Sequence, residues 1–182
     1  MTATDDGLNT TAHTVEGGGE QVEDGVLTTI SGGSLTIAAG SDGIDSNGSA
    51  TITGGTVAIS AQSGGGGNGA LDVNGTLTAP GVLTIDASSV EIGQRVTVTE
   101  HDGAGVATFV ASDTAPSVVV MAAAISSGAT YTVYAGDASS TTTDGLSEIG
   151  TATATEASQT ATGMGGGPGG GPGGRRGGAV DG

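Results

Sequence analysis

The sequence predicts an all-β chain wound as a parallel solenoid, closed by a small C-terminal β cap and followed by a Gly/Pro-rich tail. Two interleaved repeats carry that prediction. The stretch Asp42-Gly43-Ile44-Asp45-Ser46-Asn47-Gly48 returns as Gly69-Ala70-Leu71-Asp72-Val73-Asn74-Gly75, and upstream as Asp5-Asp6-Gly7-Leu8-Asn9-Thr10. Between its copies, Ser31-Gly32-Gly33-Ser34-Leu35-Thr36-Ile37 returns as Thr53-Gly54-Gly55-Thr56-Val57-Ala58-Ile59, then more loosely as Ala79-Pro80-Gly81-Val82-Leu83-Thr84-Ile85. The steps are 22 residues from Gly33 to Gly55, 26 from Gly55 to Gly81 and 27 from Asp45 to Asp72. A period in the twenties, built from short strands and Gly/Asn turns, is that of a solenoid. Composition agrees. Gly supplies 38 of 182 residues, aromatics 2% and hydrophobics 35%, with no Cys, which suits β-branched strands joined by tight corners.

Taken in order, residues 1–10 open inside a repeat unit, with no strand ahead of the Asp5-Asp6-Gly7-Leu8-Asn9 turn. Residues 11–24 are polar and Gly-rich and read as irregular coil. The regular rungs follow as Val26–Ile30, Ser34–Ile37, Ala50–Ile52, Thr56–Ile59, Thr76–Thr78 and Val82–Ile85. Each alternates apolar with small polar residues, the period-two pattern of a strand with one buried face. Gly-Gly pairs and Asn-Gly steps supply the positive-φ corners between rungs, and Ser63–Asn68 is an insertion bulging from one of them. From about residue 88 the repeat is lost. Val96–Thr99, Val106–Val110, Ser117–Val120 and Tyr131–Tyr134 read as cap strands, with turns at His101-Asp102-Gly103 and Ser126-Ser127-Gly128. A hairpin is expected at Gly150–Thr155. The chain thus divides into coils over 1–87, a β cap over 88–160 and a tail over 161–182. That tail holds Gly-Pro-Gly-Gly twice and reads as flexible, or as a segment ordered on a neighbouring subunit through Arg175 and Arg176.

Charge narrows the function. The formal net charge is −16, with 19 acidic residues against three basic ones. Lysine is absent, and Arg95 is the one arginine of the body. A nucleic-acid backbone needs clustered Lys and Arg, so no nucleic-acid partner is expected. The longest apolar run, Val118–Ile125, is too short to span a bilayer, so no membrane insertion is expected. Thr2 to Asn9 has neither a basic n-region nor an apolar h-region. Export is therefore expected through a larger parent protein or a targeting segment already removed. Acidity suits divalent cations, and equally a saline habitat.

The repeated turn carries the chemistry. Equivalent residues of a parallel solenoid stack roughly 4.8 Å apart, which sets Asp45 beside Asp72 with Asn9 continuing the column. Two exposed carboxylates at that spacing repel by about 1 kcal/mol in water, and by more when partly buried. A bound cation is the simplest remedy. Ca²⁺ takes six to eight oxygens from carboxylates, Asn side chains and backbone carbonyls, and Asp42, Asp45, Asp72, Asn47 and Asn74 offer such a set. Asp6 and Asn9 extend it upstream. The lack of Cys and the isolation of His13 and His101 disfavour Zn²⁺ and Cu²⁺. Two plainer roles compete. Asp and Asn cap their own turns in Gly-rich corners, and Asn47 with Asn74 can form an amide ladder between coils.

At these motifs the sequence resembles the carbohydrate-binding right-handed parallel β-helix family, formerly a domain of unknown function and typified by a clostridial cell-surface protein. The matching residues are Asp5-Asp6-Gly7-Leu8-Asn9, Asp42 through Gly48, Gly54-Gly55-Thr56-Val57 and Gly69-Ala70-Leu71-Asp72. Val96-Thr97-Val98, Ser117–Val120 and Gly128–Gly136 match in the C-terminal part. The resemblance covers roughly residues 3–136. It implies a right-handed parallel β-helix with bound Ca²⁺, extracellular or at the cell surface, attached to acidic or cellulosic polysaccharide and without catalysis. Family members carry several more coils before the first turn, and this chain has few aromatics to stack on sugars. Phe109, Tyr131 and Tyr134 all fall in the cap, where a core role is expected.

Three function classes follow. The first is a non-catalytic module that binds a polyuronate or cellulose-like polysaccharide through Ca²⁺. The second is a structural subunit whose partner is a copy of itself, joined head to tail into Ca²⁺-dependent filaments through an open edge. The third, an enzyme, is not expected: a lyase base beside Ca²⁺ would need Lys or Arg, and Arg95 stands outside the repeats.

Overall fold

The computed structural model describes residues 1–13, 21–61, 68–140, 142–157 and 160–161. Among these residues every regular element is a strand. The first seven are β1 (Thr2–Ala3), β2 (Leu8–Thr10), β3 (Leu27–Ala39), β4 (Ile44–Ser46), β5 (Ser49–Ala61), β6 (Leu71–Val73) and β7 (Leu77–Thr78). The chain alternates between two sheets as it passes through them. β1, β3 and β5 are neighbours in one, with β7 beside β5, while β2, β4 and β6 are neighbours in the other. All of these pairings are parallel.

Register follows the repeat. Leu8 pairs with Ile44 and Ile44 with Leu71. Leu35 pairs with Val57 and Ile37 with Ile59. Ile37, Ile44, Val57, Ile59 and Leu71 are buried together, and each side chain removed from water contributes roughly 1.5–3 kcal/mol. A slip by one residue would turn this whole set outward.

Three expectations are corrected here. The rungs on either side of each Gly-Gly pair are not separate strands. β3 and β5 each run unbroken through the pair, with a register shift and positive φ at Gly33 (83°) and Gly55 (80°). The corner is a kink inside the ladder, and glycine tolerates it because it has no Cβ. Second, Val82–Ile85 does not continue the parallel ladder. Pro80 occupies the column of Gly32 and Gly54, has no N–H and fixes φ near −65°. Gly81, in the column of Gly33 and Gly55, does not take up their positive φ. The kink is not rebuilt, and the strand leaves. Third, the expected hairpin at Gly150–Thr155 does not form: Gly150 to Thr153 end the strand Leu146–Thr153, and Thr155 bridges Val82 antiparallel.

The remaining strands are β8 (Leu83–Asp86), β9 (Arg95–Thr99), β10 (Gly105–Val110), β11 (Ser117–Ala122), β12 (Thr130–Gly136), β13 (Leu146–Thr153) and β14 (Thr160–Ala161). β11 lies between β5 and β8 and is antiparallel to both, with Val119 opposite Ile59 and Val118 opposite Ile85. Strand pairing therefore crosses residue 87. β10, β9, β12 and β13 form an antiparallel sheet in that order. Its inner face and β8 enclose a second core that includes Leu83, Val98, Phe109, Val120, Tyr131 and Val133. Ala58 of β5 joins this second core, whereas Val119 and Met121 of β11 join the first. The two cores thus meet across the β5–β11 pair. Asp113, in the β10–β11 connection, accepts a hydrogen bond from the buried Ser60 hydroxyl of β5 at 2.5 Å. β14 caps β6 antiparallel, with Thr160 opposite Asp72. The tail beyond Ala161 lies outside the described residues, as do residues 63–67 of the Ser63–Asn68 insertion.

Candidate functional site

The acidic column stands on the sheet of β2, β4 and β6. Asn9 pairs with Asp45 and Asp45 with Asp72, so these three stack as the sequence predicts. Alternation in the strands turns Leu8, Ile44 and Leu71 inward and the polar column outward. Gly43 sets the approach to it. A Cβ there would meet Cγ2 of Ile59 and the carbonyl oxygen of Ala70, and one at Gly7 would meet Cγ2 of Ile37 and the carbonyl oxygen of Gly43. The turn is glycine because the ladder is packed against its backbone.

Asp6 and Asp42 do something the sequence reading assigned to neither. Asp6 Oδ1 accepts the backbone N–H of Asp42 at 3.1 Å, and Asp42 Oδ1 accepts the backbone N–H of Gly69 at 2.6 Å. Asp6, Asp42 and Gly69 occupy one column, so each aspartate ties its own rung to the equivalent residue of the next. The sequence held the signal, because the column starts with two aspartates and ends without one. Asn9 Nδ2 donates to Asp6 Oδ2 at 2.9 Å and to Asp45 Oδ2 at 3.0 Å. It is the neutral member that lets two carboxylates approach.

Even so, the charges strain one another. Asp45 is half-buried, and its carboxyl is pushed up to about 6, first by burial and then by the carboxylates of Asp6, Asp72 and Asp42. Asp42 is raised by burial, which outweighs the Gly69 N–H that favours its charged form; the carboxylates of Asp72, Asp6 and Asp5 add to the rise. A divalent cation would reverse the sign of this environment. The donor set is all oxygen and suits Ca²⁺. Asp6, Asp42, Asp45 and Asp72 are the carboxylates such a cation would have to draw together. Among the described residues, no three His, Cys, Asp or Glu side chains converge as a ready cage. The carboxylates are spread along the ladder, with Asp6 on the first rung, Asp42 and Asp45 on the second and Asp72 on the third.

Asn47 and Asn74 sit beyond the column, toward Thr11 and Gln21. Asn47 Nδ2 donates to Thr11 Oγ1 at 3.0 Å and Asn74 Nδ2 to the Gln21 carbonyl at 3.4 Å. Each of these bonds reaches to another part of the chain. Glu23, read as part of an irregular coil, is 2% exposed and accepts from Thr11 Oγ1 at 2.7 Å and Ala12 N–H at 2.8 Å. Nothing in the repeat pattern flags it, since it lies between rungs.

The other polar candidates are structural or exposed. Arg95 donates through Nε and Nη2 to the Ala138 carbonyl, at 3.2 and 2.9 Å. His13 and His101 are exposed. Phe109 and Tyr131 are buried in the second core and Tyr134 is half-buried. Tyr131 Oη is fixed by the N–H of Ser126 and the carbonyl of Ala124. A shallow groove of about 540 Å³, lined by residues including Ser88, Val90, Glu91 and Pro116, has no aromatic wall. In comparison with known proteins, the chain matches no family model, no curated protein and no solved structure.

Proposed function

We propose that this chain is a non-catalytic, calcium-binding parallel β-helix that works outside the cell and attaches to acidic or cellulosic polysaccharide. The observation that carries the reading is the register of Asn9, Asp45 and Asp72, with Asp45 pushed up to about 6 by burial and its neighbours. Stacked carboxylates that hinder one another's ionisation favour a cation that relieves them. Motif likeness to the carbohydrate-binding β-helix family supports the ligand class, and the two alternating parallel ladders suit the helix. Arg95 donates through Nε and Nη2 to the Ala138 carbonyl, a commitment that weighs against its use as a lyase base.

Co-sedimentation with polygalacturonate and with cellulose, in Ca²⁺ and in chelator, tests this. Binding to polygalacturonate in Ca²⁺ that disappears on chelation is the expected result. Equal binding in chelator would defeat the Ca²⁺ bridge.

One observation favours the second reading, Ca²⁺-dependent self-assembly. β1 and β2 are the outer strands of the two ladders, and an outer strand presents unpaired backbone groups. The opposite side is met by antiparallel β11 and β14, so a head-to-tail copy would have to add beside strands of reversed direction. Light scattering that reports a monomer in millimolar Ca²⁺ would remove this reading.

A further inference from the structure

We propose that the step Asn68-Gly69 is a site of self-modification, at which the Asp42 carboxylate is the general base for closure of Asn68 to a succinimide and its conversion to aspartate or isoaspartate. Three of the four asparagines are followed by glycine, in Asn47-Gly48, Asn68-Gly69 and Asn74-Gly75. In such a step the nucleophile is the backbone nitrogen of the glycine, and no Cβ crowds its approach to the Asn side chain. What the glycine N–H touches therefore separates the three.

Gly75 N–H donates to the Gly48 carbonyl at 2.7 Å, and Gly48 N–H lies 3.4 Å from Ser46 Oγ. Neither a carbonyl nor a hydroxyl takes up a proton readily. Gly69 differs, because its N–H donates to Asp42 Oδ1 at 2.6 Å. That is hydrogen-bond reach of the proton to be removed, the first requirement of a general base. Asp42 is buried and Gly69 is buried with it, and the Gly69 carbonyl accepts Gly43 N–H at 3.0 Å, so the pair is fixed on the ladder. Asn68 stands ahead of β6 and is half-buried. Asn47, by contrast, is pinned on both sides of its backbone, with its N–H on the Thr10 carbonyl and its own carbonyl on Glu23 N–H.

In the reaction, Gly69 N attacks Cγ of Asn68. The N–Cγ bond forms as Asp42 takes the proton, and the Cγ–Nδ2 bond breaks. Ammonia leaves with that electron pair and with the proton returned by Asp42. One water then opens the ring at either carbonyl. No oxidant or reductant is needed. While the ring is closed Gly69 has no N–H, so the tie from Asp42 to the third rung is lost. Opening restores the N–H and adds a carboxylate to the ladder.

The inference does not depend on Ca²⁺, and its test is an incubation of the whole chain at neutral pH in chelator, read by mass spectrometry. Proteolysis before aspartate releases residues 45–71, with Asn47 and Asn68, and residues 72–85, with Asn74. An aspartyl product adds a cut before position 68; an isoaspartyl product leaves the fragment whole with the mass gain of amide replaced by acid. Conversion at Asn68 is expected to outrun that at Asn47 and Asn74 in the folded chain, and to outrun Asn68 itself in guanidinium-unfolded chain. Asp42→Asn is expected to slow it by about a hundredfold, the low end for a positioned base. Should that variant unfold, Asn47 and Asn74 will speed up together, and the folded-against-unfolded comparison in the parent decides. Asn68 that converts no faster folded than unfolded overturns the inference, as does a folded Asp42→Asn chain that converts at the parent rate.

Discussion

The two halves of this molecule solve the same problem in opposite ways. In the ladders of β1 to β7, each rung is specified by the one before it. Equivalent residues stack, glycines admit the neighbouring backbone, and aspartates tie one rung to the next. In the antiparallel part, no residue repeats. Strands are held by a mixed core that includes Phe109 and Tyr131, the largest side chains in it. The ladder half concentrates acidic chemistry in columns because repetition multiplies whatever a corner holds. The other half carries bulk and no such column.

That contrast can be broken by mutation. Phe109→Ala is expected to cost about 3–5 kcal/mol, the range for truncating a buried aromatic. Leu71→Ala, in the ladder core, is expected to cost about 2–5 kcal/mol. Because β11 joins the two cores across β5, both variants should lower a single unfolding transition. Calorimetry that resolves two transitions, each sensitive to one variant, would show that the halves fold independently.

Gly43→Ala comes next. Its Cβ has no room between Ile59 and Ala70, and overpacking of this kind costs about 1–3 kcal/mol. In the antiparallel half, Gly105 has open space around its missing Cβ and no positive φ. Gly105→Ala is expected to stay within about 0.5 kcal/mol of the parent. Urea midpoints for the two variants sharpen the comparison; equal losses would refute the claim that close stacking belongs to the ladder.

A smaller effect separates the halves by pH. The folded-state value for Asp45 is about 6, against an ordinary 3.8. Between those values the folded chain holds a proton that the unfolded chain has released. The associated stability is complete below about pH 4 and is lost as pH rises through about 6. The full shift corresponds to about 3 kcal/mol, and solvent screening of a half-buried carboxylate reduces it to about 1 kcal/mol. In chelator, the parent should lose this much more than Asp45→Asn between pH 4 and pH 7, by urea unfolding. A parent that gains stability relative to the variant over that range would contradict the sign.

Repetition also decides what was legible beforehand. The columns Leu8–Ile44–Leu71 and Asn9–Asp45–Asp72 could be read directly, because a parallel ladder converts sequence offset into spatial stacking. The destination of β11 could not. Its run Ser117–Ala122 is apolar on both faces and suits any buried position, so nothing local reveals that it enters between β5 and β8. The departure of β8 had a visible cause in Pro80, whose weight against a loose echo emerges only with the kink geometry of Gly33 and Gly55. At the candidate site, stacking was legible and bonding was not. Asp6 and Asp42 reach to backbone groups of the next rung, and a sequence shows side chains in columns without showing which backbone donors face them.

The most direct test of the account is a calorimetric Ca²⁺ titration of the parent and Asp45→Asn at pH 7, with thermal unfolding of both in Ca²⁺ and in chelator. The account predicts saturable binding by the parent and stabilisation of about 2.7 kcal/mol at one hundred times Kd. That corresponds to a rise of roughly 5–11 °C in Tm for a chain of this size. Asp45→Asn should lose most of both, while remaining at least as stable as the parent in chelator. A parent that takes up no Ca²⁺, or an Asp45→Asn variant that binds and is stabilised like the parent, would contradict the assignment of this column as the cation site.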